Sequence, residues 1–258
     1  MRIRALPIVL IAAACAKSAD TPGATPSTRT AAAPASGEDV VRRMHAEYAG
    51  KWYRTLTFVQ RTVRTGRPDE TWYEAGMIPG KLRIDVAPID SGNTFMYVGD
   101  SVYVFRGGKR IQAAKDRNLL MTLGFDVYGQ APDTTIAQLR AQNVDLSKVH
   151  ETTWQGRPVW VVGAAAGDST SSQFWVERDR LLFVRLIEQR PSQQGPIRLD
   201  IEFNKYQRLG GGWIAPEVVM RRNGQPFMQE IYSDIRADVP LDANLYNTTE
   251  YHRPGWVK

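Results

Sequence analysis

Ile197-Arg198-Leu199-Asp200-Ile201-Glu202-Phe203 decides the fold. Apolar and charged residues alternate through the whole stretch. Successive side chains of a β-strand point to opposite faces, so the pattern describes a strand with one face on a core. It recurs upstream, where Leu82, Ile84 and Val86 alternate with Arg83 and Asp85. Further β-branched and aromatic runs lie at 56–63, 71–77, 94–98 and 102–105, the last two flanking Gly99-Asp100-Ser101. Others follow at 150–154, 159–162, 173–176 and 181–189, and a last pair, 213–222 and 227–235, surrounds Asn223-Gly224. Gly-containing dipeptides between such runs are hairpin signals. The series gives about eleven strands without a strand–helix–strand rhythm. We therefore expect a mainly β, α+β chain: one large, curved antiparallel sheet closing into an incomplete barrel, not a Rossmann-type fold.

Two places break the series. Val40, Val41, Met44 and Tyr48 recur at helical spacing behind Glu38 and Asp39, and Gly50 suits the stop. Between 116 and 142, Leu119, Leu120, Leu123 and Val127 share a helical stripe, and a further helix starts after Pro132 with Ile136 and Leu139. These helices are placed to cover the concave face of the sheet.

The N-terminus reads as an export signal. Met1-Arg2-Ile3-Arg4 precedes an uncharged run from Ala5 to Ala14, and Cys15, the only cysteine of 258 residues, closes it. Small residues at Ala13 and Ala14 before a cysteine fit a bacterial lipoprotein signal, although Ala12 stands where leucine is preferred. A run of about ten apolar residues is too short to span a bilayer, which takes about 20. The expected organisation is a signal peptide over 1–14, a lipidated Cys15 opening a disordered linker over 15–37, and a folded domain over 38–258. The linker is Ala, Pro, Ser, Thr and Gly with almost no large apolar group. Cleavage after Ala19, with an incidental cysteine, is the competing reading. Two or three acyl chains on one residue anchor firmly, where one binds marginally.

Composition narrows the function. The net charge of +6 falls to about +4 without Arg2 and Arg4, and no more than two basic residues are adjacent. That balance excludes a nucleic-acid surface. With Cys15 lipidated, no thiol remains for a disulfide or a metal site. His45, His150 and His252 are far apart, and none has metal-ligand spacing. No G-x-S-x-G elbow occurs, and Gly210-Gly211-Gly212 lacks the Lys and Ser/Thr of a phosphate loop. Ser169 to Ser172 lie in a turn, and Ser171 with His150 is the one nucleophile–base pair to check. Asp85, Asp200 and Glu202 read as a solvated face. No catalytic residue, cofactor or metal is expected.

What remains is seven Trp, ten Tyr and eight Phe. A curved sheet under helices encloses apolar space, and a barrel of this size holds a ligand. Period two puts Phe58, Leu82, Ile84, Val86, Phe95, Tyr97, Val184, Leu186, Leu199, Ile201 and Phe203 on the inward face. Leu120, Leu123 and Val127 then form the lid. A one-residue register slip would reverse any strand.

The chain resembles the LolA/LolB-like lipoprotein carriers and receptors, which include outer membrane lipoprotein-sorting proteins. The resemblance runs from about Val40 to Tyr246. It is carried by the helix Val41 to Tyr48 before Phe58-Val59-Gln60, by Pro79-Gly80-Lys81-Leu82-Arg83-Ile84-Asp85, and by Tyr97-Val98-Gly99-Asp100. Phe174-Trp175-Val176-Glu177 before Leu181-Leu182, and Phe203-Asn204-Lys205-Tyr206, add to it. The Pro-Gly-Lys-Leu-Arg stretch is the most specific. The resemblance implies an incomplete barrel with a helical lid that holds lipid or lipoprotein acyl chains. It implies a membrane-anchored protein of the bacterial envelope, with Ala16 after the cysteine favouring the outer membrane. The carriers hold their lid with a basic residue before this proline, and here Ile78 takes that place. Related domains also serve stress sensing, so a filled-core envelope protein acting on a protein partner is the alternative.

Overall fold

The computed structural model describes residues 32–193 and 195–257. Cys15, the signal peptide and the linker up to residue 31 lie outside the described residues. Helix α1 spans Gly37–Tyr48; the Ser36 hydroxyl caps it by accepting from the Asp39 N–H at 3.3 Å. Glu38 and Asp39 in the first turn complement the positive end of the helix dipole.

The strands are β1 (Thr55–Arg64), β2 (Glu70–Met77), β3 (Lys81–Val86), β4 (Thr94–Val98), β5 (Ser101–Arg106) and β6 (Lys109–Lys115). Helices α2 (Leu119–Gly124) and α3 (Pro132–Ala141) come next, with a 3-10 turn at Asp126–Tyr128 between them. Strands resume as β7 (Val149–Trp154), β8 (Arg157–Val162), β9 (Gln173–Glu177), β10 (Leu182–Arg190) and β11 (Ile197–Asn204). The last are β12 (Gln207–Leu209), β13 (Gly212–Ile214), β14 (Glu217–Arg222) and β15 (Gln225–Ala237).

Thirteen strands form one antiparallel sheet in the order β6-β5-β4-β3-β2-β1-β15-β14-β11-β10-β9-β8-β7. The two ends do not pair, so the barrel is incomplete, as expected. The fifteen strands among the described residues exceed the expected eleven or so, and three strands account for most of the excess, one of them the three-residue β12. Strand β6 is a polar, exposed edge that shows no alternation. The run 213–222 divides at Ala215-Pro216 into β13 and β14, since proline lacks the N–H a ladder needs. The Gly triplet is a turn whose sequence answers to space: a Cβ at Gly211 would lie 2.1 Å from the Lys51 carbonyl oxygen, and one at Gly212 2.7 Å from the Trp52 ring.

Cross-strand register defines the concave face. Ile84 stands opposite Phe95 and Glu74, and Leu82 opposite Tyr97 and Gly76. Phe58 faces Glu74 across β1–β2. On the other half, Leu186 stands opposite Ile201 and Phe174, and Phe203 opposite Val218. Thus Phe58, Leu82, Ile84, Val86, Phe95, Tyr97, Leu186, Leu199, Ile201 and Phe203 share one face. Val184 does not follow. It is the extra residue of a bulge between Phe183 and Arg185, and Phe183 takes the inward place. Two tyrosines hold this bulge: the Phe183 N–H donates to the Tyr128 hydroxyl at 3.0 Å, and the Tyr206 hydroxyl donates to the Phe183 carbonyl.

The helices pack on half of the concave face. Val40, Val41 and Met44 of α1, Leu123 of α2, Val127, Tyr128 and Ile136 join Phe174, Val176, Phe183 and Ile201 in one buried cluster. Trp52 stacks on Tyr128 with ring centroids 3.9 Å apart.

The convex face carries a second, smaller core. Leu245 and Tyr246 of the C-terminal segment bury Met96 and Phe105. Beneath them Arg83 is fully buried. Its Nε and Nη2 donate to Asp85 at 2.7 and 2.8 Å, and its Nη1 to the Leu245 carbonyl at 2.8 Å. The expected solvated carboxylate face is therefore corrected. Asp85, Asp200 and Glu202 are buried in ion pairs, Asp200 with Arg185 at 2.7 Å and Glu202 with Arg221. Alternation reports which side is polar. It does not report that arginines and a C-terminal strap cover that side.

Candidate functional site

The other half of the concave face is not filled. Between β1, β2, β3, β15 and the α2 region lies a partly open, mainly apolar cavity of about 80 Å³. Its walls are Leu56, Phe58, Trp72, Gly76, Leu82 and Ile84 of the sheet, with Phe203 and Tyr232 from the far side. Leu120, Met121 and Phe125 roof it, and Ile78, Lys81 and Asn118 complete the rim.

The roof is seated by specific contacts. Asn118 caps α2, its Oδ1 accepting from Leu120 and Met121 N–H at 3.0 and 3.3 Å. Gly124 lets the helix end approach the sheet, since a Cβ there would lie 3.2 Å from the Phe203 ring. Asp126 Oδ1 accepts from the Gly80 N–H at 2.9 Å, tying the roof to the β2–β3 turn. Asp126 is buried, and burial raises its carboxyl to about 6 against the opposing pull of that hydrogen bond. This tie falls on the Pro79-Gly80 turn, directly after Ile78.

Of the residues expected to line a cavity, the structure brings Phe58, Leu82, Ile84 and Phe203 to its wall and Leu120 to its roof. Val86, Phe95 and Tyr97 share the face but stand outside the cavity wall, and so does Leu199. Leu186 and Ile201 are packed under the helices. Leu123 and Val127 are fully buried in the same cluster and belong to the core, not to a surface that meets a ligand. One helical stripe thus divides: Leu123 and Val127 hold the roof down while Leu120, with Met121 and Phe125, faces the cavity.

Sequence reasoning missed the polar floor. Glu74 and Glu230 also line the cavity, and both are more than nine-tenths buried. The Tyr232 hydroxyl donates to Glu230 Oε2 at 2.6 Å. Desolvation raises Glu230 to about 7; desolvation, and then the nearby Glu230, raise Glu74 well above the ordinary carboxylate range. The available signal was a lone acid in line with aromatic residues: Glu74 follows Trp72, and Glu230 precedes Tyr232, at spacing two.

The serine–histidine pair does not assemble. Ser171 Oγ donates to Asp168 at 2.6 Å, and His150 Nδ1 lies 3.2 Å from the Ala164 carbonyl. Hydrogen bonds from Ser171 and Thr170 hold the Asp168 carboxyl far below its usual range, the signature of a tight turn. Among the described residues, no three His, Cys, Asp or Glu side chains group as metal ligands, and no helix is long and apolar enough to cross a membrane. Two wider clefts, of about 390 and 530 Å³, follow the C-terminal segment past Trp256; they are open grooves with more polar walls.

No protein-family model and no curated protein matches the chain. Solved structures do. A DUF1329 family protein from Desulfovibrio piger is 15% identical, with 81% of this chain and 95% of that one covered at a TM-score of 0.53. A putative outer membrane lipoprotein-sorting protein domain from Vibrio parahaemolyticus is 12% identical, with 82% and 96% covered at 0.53. A LolA superfamily protein from Nitrosomonas europaea is 10% identical, with 83% and 98% covered at 0.49. At these identities the likeness establishes the fold alone, the incomplete antiparallel barrel shared with the first two of these structures.

Proposed function

We propose that this protein is a lipid-binding, non-enzymatic lipoprotein of the bacterial envelope, anchored through Cys15 to the periplasmic face of the outer membrane. On this reading it accepts an acyl chain of a lipid or lipoprotein between its half-barrel and its α2 roof. The apolar cavity on the concave face, roofed by a short tethered helix, carries the proposal. A solved structure described as an outer membrane lipoprotein-sorting domain shares the fold and supports the setting. A volume of 80 Å³ is well below the roughly 300–1,000 Å³ of pockets that hold whole small molecules. On this reading the structure is the unliganded form, and a chain enters by displacing Leu120, Met121 and Phe125.

Native mass spectrometry and organic extraction of the purified full chain test this. A bound phospholipid or acylated peptide is the expected result. A clean unliganded mass, with no uptake of a fluorescent fatty acid, refutes it. That outcome favours the second reading, an envelope protein that acts through protein partners, for which the closely filled half of the concave face is the supporting observation.

A further inference from the structure

The cavity has apolar walls but an acceptor-rich floor. Glu74 lines it, is 5% exposed, and receives no hydrogen bond from any described residue. Glu230 of β15 lines the same cavity two strands away, in the row of Thr62 where Glu74 is in the row of Phe58, and its one side-chain donor is the Tyr232 hydroxyl. Gln60 stands between Trp72 and Tyr232 in the register and is 1% exposed. Its Nε2 is spent on Thr62 Oγ1 at 2.8 Å, and its Oε1 has no partner.

The Gln60 and Tyr232 donors near this floor are committed, while Gln60 Oε1 is buried without a partner and Glu74 faces the cavity with no donor. Buried polar atoms in native proteins are normally paired, and the exceptions call for an explanation. Arg64, the cation that acts on Glu230, bonds Glu70 at 2.8 Å and lies over the Trp72 ring. The Lys81 ammonium lies over Tyr246 on the convex side. Neither neutralises Glu74. Tyr97 shares this face and bears no cation; the Asp116–Arg190 pair lies near it. Around the floor are the rings of Phe58, Trp72 and Tyr232, with Phe58 and Tyr232 centroids 4.2 Å apart. A carboxylate among aromatic faces is a setting for an organic ammonium ion.

We propose that the cavity selects amphiphiles that carry a protonated amine, with the ammonium drawn into the field of the two cavity carboxylates, Glu74 and Glu230, and the hydrocarbon running under Leu120 and Phe125. This rests on the acyl-chain reading above and gives it a headgroup. Two buried carboxylates lining one cavity resist joint ionisation. A bound cation relieves that, so binding expels a proton from the pair and tightens as pH rises from 5 to 8; Asp126, the third acid on the cavity wall, is tied to the Gly80 N–H and titrates near 6 within the same window.

The test is calorimetric titration of the full chain with dodecylamine, dodecanol, dodecanoate and butylamine, each below its micellar concentration. Dodecylamine is expected to bind at least about tenfold tighter than dodecanol, the scale of one charge-assisted hydrogen bond. Its heat should vary with the buffer's ionisation enthalpy, marking proton release. Glu74→Gln and Glu230→Gln should each erase most of the preference while dodecanol binding persists. Equal affinity for amine and alcohol overturns the headgroup assignment and leaves the chain-binding reading standing. So does a preference that survives both substitutions, a test the wild-type comparison makes independent of either variant's folding. Butylamine binding as tightly as dodecylamine overturns the amphiphile assignment. Failure of every chain to bind overturns both readings.

Discussion

Replacing Asp126 with asparagine should stabilise the protein, and only above acid pH. Asp126 titrates near 6 in the fold against an ordinary 3.8, with burial as the main cause. The native state therefore binds this proton more tightly than the unfolded chain. The stability that follows is fully present below about pH 4, falls between 4 and 6, and stays lost above 6. At about 1.4 kcal/mol for each pH unit between the two values, the ionised carboxylate costs the fold about 3 kcal/mol at neutral pH. Asparagine keeps an Oδ1 acceptor for the Gly80 N–H and removes the charge. Urea unfolding of both proteins from pH 3.5 to 8 measures the difference. It should be near zero at pH 3.5 and approach 3 kcal/mol by pH 7. Glu74 and Glu230 are also raised and steepen both curves alike, so the difference between proteins is the relevant quantity. No gain at pH 7.5, or the same gain at pH 3.5, would refute the reasoning. The latch at the roof would then be an ordinary charged hydrogen bond that burial does not strain.

Leu120→Glu should abolish fatty-acid uptake while costing only about 1 kcal/mol of stability, since Leu120 is half-buried at the cavity; Leu123→Glu, three residues on and fully buried, should unfold the protein. Circular dichroism melts beside an uptake assay separate the two, and equal behaviour of the pair defeats the assignment of the helix faces. Arg83→Met should cost about 3–5 kcal/mol by leaving Asp85 buried and unpaired, and adding Asp85→Leu should recover part of it. Denaturant midpoints read this cycle; a single variant within 1 kcal/mol of wild type argues against a sealed pair. Cys15→Ser should move the protein from the membrane to the soluble fraction on cell fractionation, and retention in the membrane would remove the anchor from the proposal.

Period two was enough to place most inward residues because each strand from β1 to β5 carries polar residues on one face or the other. Leu82-Arg83-Ile84-Asp85-Val86 admits a single reading. Leu182-Phe183-Val184-Arg185-Leu186-Ile187 does not, since both faces of β10 are buried and nothing in the residue types marks where a bulge falls. Its position is set by Tyr128 and Tyr206, which supply partners for the Phe183 backbone from 55 and 23 residues away. The same limit governs the roof. Helical spacing identifies the stripe Leu119, Leu120, Leu123 and Val127, but the rotation of α2 about its own axis decides which of them meets a cavity. That rotation depends on Gly124 against Phe203 and on Tyr128 against Trp52, contacts between distant parts of the chain.

The polar floor was hidden for a different reason, and that reason bears on function. An inward carboxylate breaks the binary pattern, so a reading that assigns charge to solvent moves it to the wrong side. Glu74 and Glu230 each sit in register with aromatic or apolar neighbours on their own strand, Trp72 and Gly76 in one case, Met228 and Tyr232 in the other. A protein that needed only a packed core would be more stable with apolar residues there, because desolvating two acids of like charge costs free energy and no described group repays Glu74 with a hydrogen bond. Local choices that oppose the fold gather where something other than stability is being served. On this sheet they gather on the floor of an apolar cavity, under a roof whose own latch is another buried acid.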